Sequence, residues 1–199
     1  MSNTGSKKLT QSHSWLALQA HAERLAKAAE GMKLRLHVDQ FTSSGAELAA
    51  RLGAATADHL EQTGDAGIAA LKASGTVPVL LPGSVYALGL DKYPDARSMI
   101  DEGLAVVLAT DFNPGSSPTP SLPMVMSIAC TQMGMTPAEA LTACTANAAT
   151  ALGYDDRGQI KEGMIADLVL WDVDDYREIP YFFGVNLVYT VFKRGVEVV

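Results

Sequence analysis

The sequence predicts an α/β protein: a β/α body on a parallel sheet, followed by a small all-β appendage. Three observations predict it. Short apolar runs alternate with amphipathic helical stretches at intervals of about 20 to 30 residues, the pattern of βαβ units. Polar residues stand where several of those runs stop. Beyond about residue 155 helical periodicity gives way to short strands with no long helix among them.

Taken in order, residues 1–12 are polar and aperiodic and read as a disordered or non-native leader. The body is assigned to residues 13–155 and the appendage to 156–199. Ser14 is a good N-cap for a first helix, in which Trp15, Leu18, Ala22, Leu25 and Ala29 line one face. Gly31 is its expected stop. Lys33 to Val38 alternates and reads as a strand, and Ser44 to Leu52 as a helix ended by Gly53. Ala54 to Ala57 is expected to be a short strand leading to Asp58-His59. Asp65 to Ala73 reads as a helix, and Thr76 to Leu81 as a strand ending at Pro82-Gly83-Ser84. Asp95 to Glu102 reads as a helix, and Leu104 to Leu108 as the buried strand that leads to Asp111. Two helices follow, Leu122 to Met133 and Pro137 to Leu152, the second with Thr136 as cap and Pro137 in its first turn. In the appendage, Gly158 to Ile160, Ala166 to Asp172, Leu187 to Lys193 and Gly195 to Val199 read as strands. Four strands are clear in the body, whereas a closed β/α barrel needs eight. Either the sheet is open or the chain carries half of a barrel.

Composition narrows the function. The chain has 199 residues, 48% of them hydrophobic, enough for one substantial core. A net charge of −7 and a pI near 5.0 argue against nucleic acid or an anionic membrane surface as partners. No apolar stretch approaches the roughly 20 residues of a membrane-spanning helix. No basic region followed by an apolar one opens the chain, so Cys130 and Cys144 read as buried, reduced thiols of a cytoplasmic protein.

Three polar residues share one topological place. His37, His59 and Asp111 each fall at or just past a strand end, the functional rim of parallel β/α folds. Imidazole nitrogen and carboxylate oxygen are the usual ligands of zinc and non-haem iron. Each residue also has a plainer reading. His37 could simply bond a backbone carbonyl, His59 could cap or support beside Asp58 and Glu61, and Asp111 could open the Asn113-Pro114-Gly115 turn. His13 and His21 read as surface residues, and Asp172, Asp174 and Asp175 as a solvated acidic cluster.

Taken together, His37-Val38-Asp39-Gln40, Asp58-His59-Leu60-Glu61 and Thr110-Asp111-Phe112-Asn113-Pro114-Gly115-Ser116 resemble the imidazolonepropionase family of the amidohydrolase superfamily. The ending Gly158-Gln159-Ile160 through Gly163 to Asp167-Leu168 is similar to the superfamily's return to its β-sandwich domain. The resemblance runs from about Ser14 to Val199. It implies the C-terminal half of a TIM-like (β/α)8 metal-dependent hydrolase barrel, plus strands of a small β-sandwich domain. It implies hydrolysis of 4-imidazolone-5-propanoate to N-formimidoyl-L-glutamate in histidine degradation, with water activated by one zinc or iron ion. Residue by residue, it makes His37 and Asp111 metal ligands and places Gln40 on the imidazolone ring. His59 would lie beside the reacting carbonyl, polarising it or assisting proton transfer. Asn113 and Gly115 would hold the product, and Ser116 the substrate. The family's upstream His-x-His pair has no counterpart here, so the chain alone is expected to be inactive. Four open strands would expose sheet edges, and a homodimer is expected. Another cyclic amidohydrolase, or a non-catalytic half-barrel stable only in an assembly, are the competing readings.

Overall fold

Period-two side-chain placement sets the first strand, and from it the rest of the sheet. The computed structural model describes residues 22–23 and 31–199. The leader, His13, His21 and most of the expected first helix lie outside the described residues; Ala22 and Glu23 are helical. In β1 (Arg35–Val38) Leu36 and Val38 pack into the main core, which leaves Arg35 and His37 on the opposite face. β2 (Thr56–His59), β3 (Val77–Leu80) and β4 (Val107–Leu108) extend the sheet in the order β1-β2-β3-β4, every pair parallel. The expected β/α body with a parallel sheet is therefore observed, as an open four-stranded sheet among the described residues.

Most of the helices cover one face of it, and the last lies over the other. These are α1 (Gly45–Arg51), α2 (Asp65–Ser74), α3 (Pro82–Ala87), α4 (Ala96–Asp101), α5 (Leu122–Gln132), α6 (Pro137–Cys144) and α7 (Ala146–Leu152). The main core lies between them and the sheet, with Ala46, Ala57, Leu71, Leu80, Met99 and Val125 fully buried. A second, smaller cluster of Val79, Leu81, Val107 and Ala151 sits on the other face, over β3 and β4 only. Three of the helices carry side-chain caps. Asp95 accepts from the Ser98 amide, Ser121 from the Met124 amide, and Thr136 with Glu139 forms a complete capping box.

Several boundaries differ from the sequence reading. β2 begins two residues late and runs through His59, because Ala55 N–H donates to the Leu34 carbonyl and Leu60 N–H to the Val38 carbonyl, matching β1 in length. β4 keeps only two ladder residues. Pro82-Gly83-Ser84, read as a loop, opens the short helix α3, with Pro82 in its first turn. Pro137 to Leu152, read as one helix, breaks at Thr145 (φ −124°, ψ −89°). Beyond the break the Asn147 amide donates to the Val106 carbonyl at 2.8 Å and draws α7 onto β4. Gly158 to Ile160 forms no strand. Gly158 (φ +90°) is wedged against the break instead, where a Cβ would stand 2.9 Å from the Thr145 carbonyl oxygen.

The appendage is a three-stranded antiparallel sheet: β5 (Leu168–Trp171), β6 (Val188–Lys193) and β7 (Val196–Glu197). A one-turn helix, α8 (Glu178–Tyr181), precedes β6, and its Ile179 is buried in the main core with Trp171 and Val173 packed alongside. Asp175 is engaged by Arg177, which holds its carboxyl at about 2. Cys130 and Cys144 are free and half-buried rather than fully buried. Burial, with Cys130 adding to it, pushes the Cys144 thiol up to about 12. Among the described residues no helix is long and apolar enough to cross a membrane.

Asp39 ties two loops together. Its carboxylate accepts from Gly45 N–H at 2.5 Å, Ala46 N–H at 3.2 Å and Thr63 Oγ1 at 2.6 Å, so it caps α1 and anchors the loop after β2. Gly45 fits only as glycine, since a Cβ there would meet Val38 Cβ at 2.6 Å. Asp39→Ala strands three buried donors and is expected to cost about 2–4 kcal/mol by urea unfolding. A cost under roughly 1 kcal/mol would show that the cap is dispensable.

Candidate metal centre

β1, β2 and the segment after β4 each bring a polar residue to the same rim, but not by alternation alone. His37 reaches it directly from the uncovered face of β1. His59 follows Ala57, which belongs to the helix-side core, so period two would turn the His59 side chain toward the helices. A left-handed backbone at His59 (φ +82°) and Leu60 (φ +73°) redirects it. Its ring then lies 5.1 Å, centroid to centroid, from that of His37. Asp111, three residues past β4, is also left-handed (φ +49°). The result is that His37, His59 and Asp111 each offer a ligand atom within 4.8 Å of the others.

That spacing suits one ion. Metal–nitrogen and metal–oxygen bonds of about 2.0–2.2 Å place two donors of one ion up to roughly 4.4 Å apart, within a small side-chain adjustment of the observed bound. Two imidazoles and one carboxylate are also the donor types that zinc and non-haem iron take. The His37 side chain is 63% exposed, His59 is buried and Asp111 is half-buried, so the cluster opens to solvent on the β1 side.

Carboxylates stand behind both histidines. Asp58 Oδ2 lies 3.8 Å from His37 Nε2, while its Oδ1 is buried without a hydrogen-bond partner among the described residues. Burial pushes the Asp58 carboxyl above the ordinary range, and the Thr56 hydroxyl, His37, Arg35 and His59 pull it back only in part. Glu61, 1% exposed, places Oε1 3.3 Å from His59 Nδ1.

The turn after Asp111 is organised by Asn113. Its Nδ2 donates to the Asp111 carbonyl at 2.7 Å and more weakly to Asp111 Oδ2 at 3.3 Å. Its Oδ1 accepts from Gly115 N–H and Ser116 N–H, both at 2.8 Å. The Asx residue of this turn is Asn113, not Asp111. Ser117 closes the loop, its backbone pairing with Asn113 and its buried hydroxyl donating to the Thr110 carbonyl at 2.6 Å. Gln40 is half-buried in the loop after β1, next to Asp39.

The structure thus brings together His37, His59, Asp111, Asn113, Gly115 and Ser116 at one end of the sheet. It adds residues the sequence reading gave no role. Asp39 and Glu61 could have been noticed as acidic residues two positions beyond each histidine. Nothing in the sequence marked Ser117 or Gly83, whose contact supports the turn from below.

A parallel β/α sheet with a nitrogen–oxygen cluster on its C-terminal rim defines a β/α scaffold with a candidate metal site. The chain belongs to the amidohydrolase family, whose model matches residues 10–198. Its sequence is 58% identical over 178 residues to the imidazolonepropionase of Solibacter usitatus, which covers 87% of this chain and 43% of that relative. It is 52% identical over 178 residues to the imidazolonepropionase of Bacillus velezensis and 50% over 182 residues to that of Geobacillus kaustophilus. The chain therefore spans less than half the length of these curated relatives. In fold it is similar to an adenosine deaminase from Xanthomonas campestris with bound zinc, with TM-score 0.75 and 23% identity over 90% of this chain and 48% of that one. It is also similar to a 5-methylcytosine deaminase from Klebsiella pneumoniae, with TM-score 0.76 and 20% identity over 91% of this chain and 52% of that one.

The support beneath Asp111 can be tested without touching a ligand. A Cβ on Gly83 would stand 2.9 Å from Ser117 Oγ, displacing the hydroxyl that holds the Thr110 carbonyl. Gly83→Ala is expected to destabilise the protein by about 1–2 kcal/mol and to be close to neutral in a Ser117→Ala background. Additive costs in that double-mutant cycle, read by urea unfolding, would deny the contact.

Proposed function

We propose that the chain carries part of an imidazolonepropionase active site, acting on the cyclic amide of 4-imidazolone-5-propanoate to give N-formimidoyl-L-glutamate in cytoplasmic histidine degradation. The observation that carries this reading is the meeting of His37, His59 and Asp111 on one rim, in a chain 58% identical to a relative of that name. His37 and Asp111 would hold one zinc or iron ion. Such an ion, when bound, supplies Lewis acidity toward water and the ring carbonyl. Gln40 contacts the imidazolone ring; an amide donates and accepts hydrogen bonds but takes no proton. Proton movement therefore falls to Asp111 and His59, with His59 beside the reacting carbonyl.

Asn113, Gly115 and Ser116 form the substrate and product grip. Their amides and hydroxyl are the type of donor set that a substrate or product carboxylate seeks. In the present arrangement the Gly115 and Ser116 amides satisfy Asn113 Oδ1, so binding a carboxylate there exchanges one acceptor for another.

Two measurements test the reading. Zinc binding followed by calorimetry is expected to weaken in His37→Ala and in Asp111→Asn by more than the roughly 10-fold that losing an outer hydrogen-bond partner costs. Co-expression of this chain with the portion of the Solibacter usitatus relative that it does not match is expected to restore loss of 4-imidazolone-5-propanoate. That activity should vanish in Asp111→Ala, and the chain alone should show little of it. Turnover of a different cyclic amide in its place would favour another amidohydrolase activity, and no turnover at all a non-catalytic half-barrel.

We further propose a homodimer, because β1 and β4 are edge strands among the described residues. Light scattering is expected to give twice the 21.0 kDa chain mass, and a monodisperse monomer would overturn this.

A further inference from the structure

Glu61 is one of the least exposed ionisable residues of the described chain, and the proposed reaction gives it nothing to do. It is 1% exposed, follows two left-handed residues, and contacts His59 Nδ1 through Oε1 at 3.3 Å. Its other oxygen, Oε2, is buried without a hydrogen-bond partner among the described residues. A carboxylate can only accept hydrogen bonds, so the proton of that contact belongs to the imidazole. Neutral imidazole carries one N–H, and a proton fixed on Nδ1 leaves Nε2 as a bare lone pair.

We propose that Glu61 is a positioning residue that holds His59 in the Nδ1–H tautomer, leaving Nε2 as the nitrogen that accepts. The consequence for His59 rests on the imidazolonepropionase reading. There it could polarise the reacting carbonyl by donating a hydrogen bond, or it could take a proton. An Nδ1–H tautomer donates nothing from Nε2, so neutral His59 enters the reaction as an acceptor. It becomes a donor from Nε2 only after taking up a proton there, with the Glu61 carboxylate facing the resulting imidazolium. The backbone agrees with this assignment. The His59–Leu60 kink that turns the ring toward His37 also brings Glu61, two residues on, behind it. Asp58 does not do the same for His37, since its oxygen lies 3.8 Å away, beyond hydrogen-bond reach.

The tautomer can be read without metal, substrate or activity. Long-range proton–nitrogen correlation spectra of the 199-residue protein labelled with 15N-histidine resolve the two ring nitrogens. His59 is assigned by its disappearance in His59→Gln. The proposal expects His59 protonated at Nδ1 and unprotonated at Nε2. In Glu61→Gln the tautomer should persist, with the Nδ1 proton shifted upfield because a neutral oxygen replaces a carboxylate. In Glu61→Met, which fills similar space without an acceptor, the Nδ1–H state should be lost. A proton on Nε2 in the unmodified protein overturns the proposal, as does an Nδ1 resonance unmoved in Glu61→Gln. Should Glu61→Met fail to fold, the other two spectra still decide. Failure here would leave the hydrolase reading intact, and absence of imidazolone turnover in the co-expression assay would leave the tautomer result standing.

Discussion

The left-handed backbone at the strand ends is the constraint on which the site depends. A β-strand can present only alternate residues to one face, and the helix-side face of β2 already belongs to Ala57 and the core. A histidine at position 59 reaches His37 only if the chain leaves the strand geometry there. His59, Leu60 and Asp111 all adopt φ between +49° and +82°, at a cost of about 1–3 kcal/mol for each non-glycine residue. Such geometry persists only where neighbouring contacts over-determine it. Here Leu60 N–H bonds the Val38 carbonyl, Gln62 N–H bonds the Asp39 carbonyl, and Thr63 bonds the Asp39 carboxylate. Asp39, itself at φ +55°, is the common anchor. The motif that supplies the first histidine therefore also supplies the brace for the second.

Much of this order was legible in the sequence, because apolar periodicity and cap chemistry are local. Thr136 caps α6 as its sequence indicates, and Gly75 ends α2 in the left-handed region as a C-terminal glycine does. The convergence of His37, His59 and Asp111 was legible for a topological reason: strand ends of a parallel sheet share one rim. The failures have non-local causes. No local signal divides Pro137 to Leu152, since the break at Thr145 is made by Asn147 reaching β4 and by Gly158 packing from a distant segment. The strand expected at Gly158 to Ile160 was lost to the same contact. Glu61 and Asp39 read as ordinary acidic neighbours because only the kinked backbone turns them inward.

The turn after Asp111 divides its tasks in a way the sequence does not reveal. Asn113 spends its own side chain on shaping the loop, donating toward Asp111 and accepting from Gly115 and Ser116. Ser117, which is fully buried, fastens the loop to Thr110 from beneath, against the bare Cα of Gly83. Asp111 is thereby fixed from both sides while one of its oxygens has only a weak contact at 3.3 Å. Holding an acidic side chain in place without saturating it is what a ligand position requires.

The face of the sheet away from the helices changes character across its width. Over β3 and β4 it carries Val79 and Val107, sealed by Leu81 and Ala151. Over β1 and β2 it carries Arg35, His37, Thr56 and Asp58 instead. An exposed imidazole beside a carboxyl whose acidity burial has weakened is an unfavourable arrangement in isolation, because at 3.8 Å the two lie beyond hydrogen-bond distance of each other. Sequences retain such groups where another contact completes them. The apolar half of this face is finished by α7, whereas on the polar half the His37 side chain remains 63% exposed beside Asp58, at the candidate site.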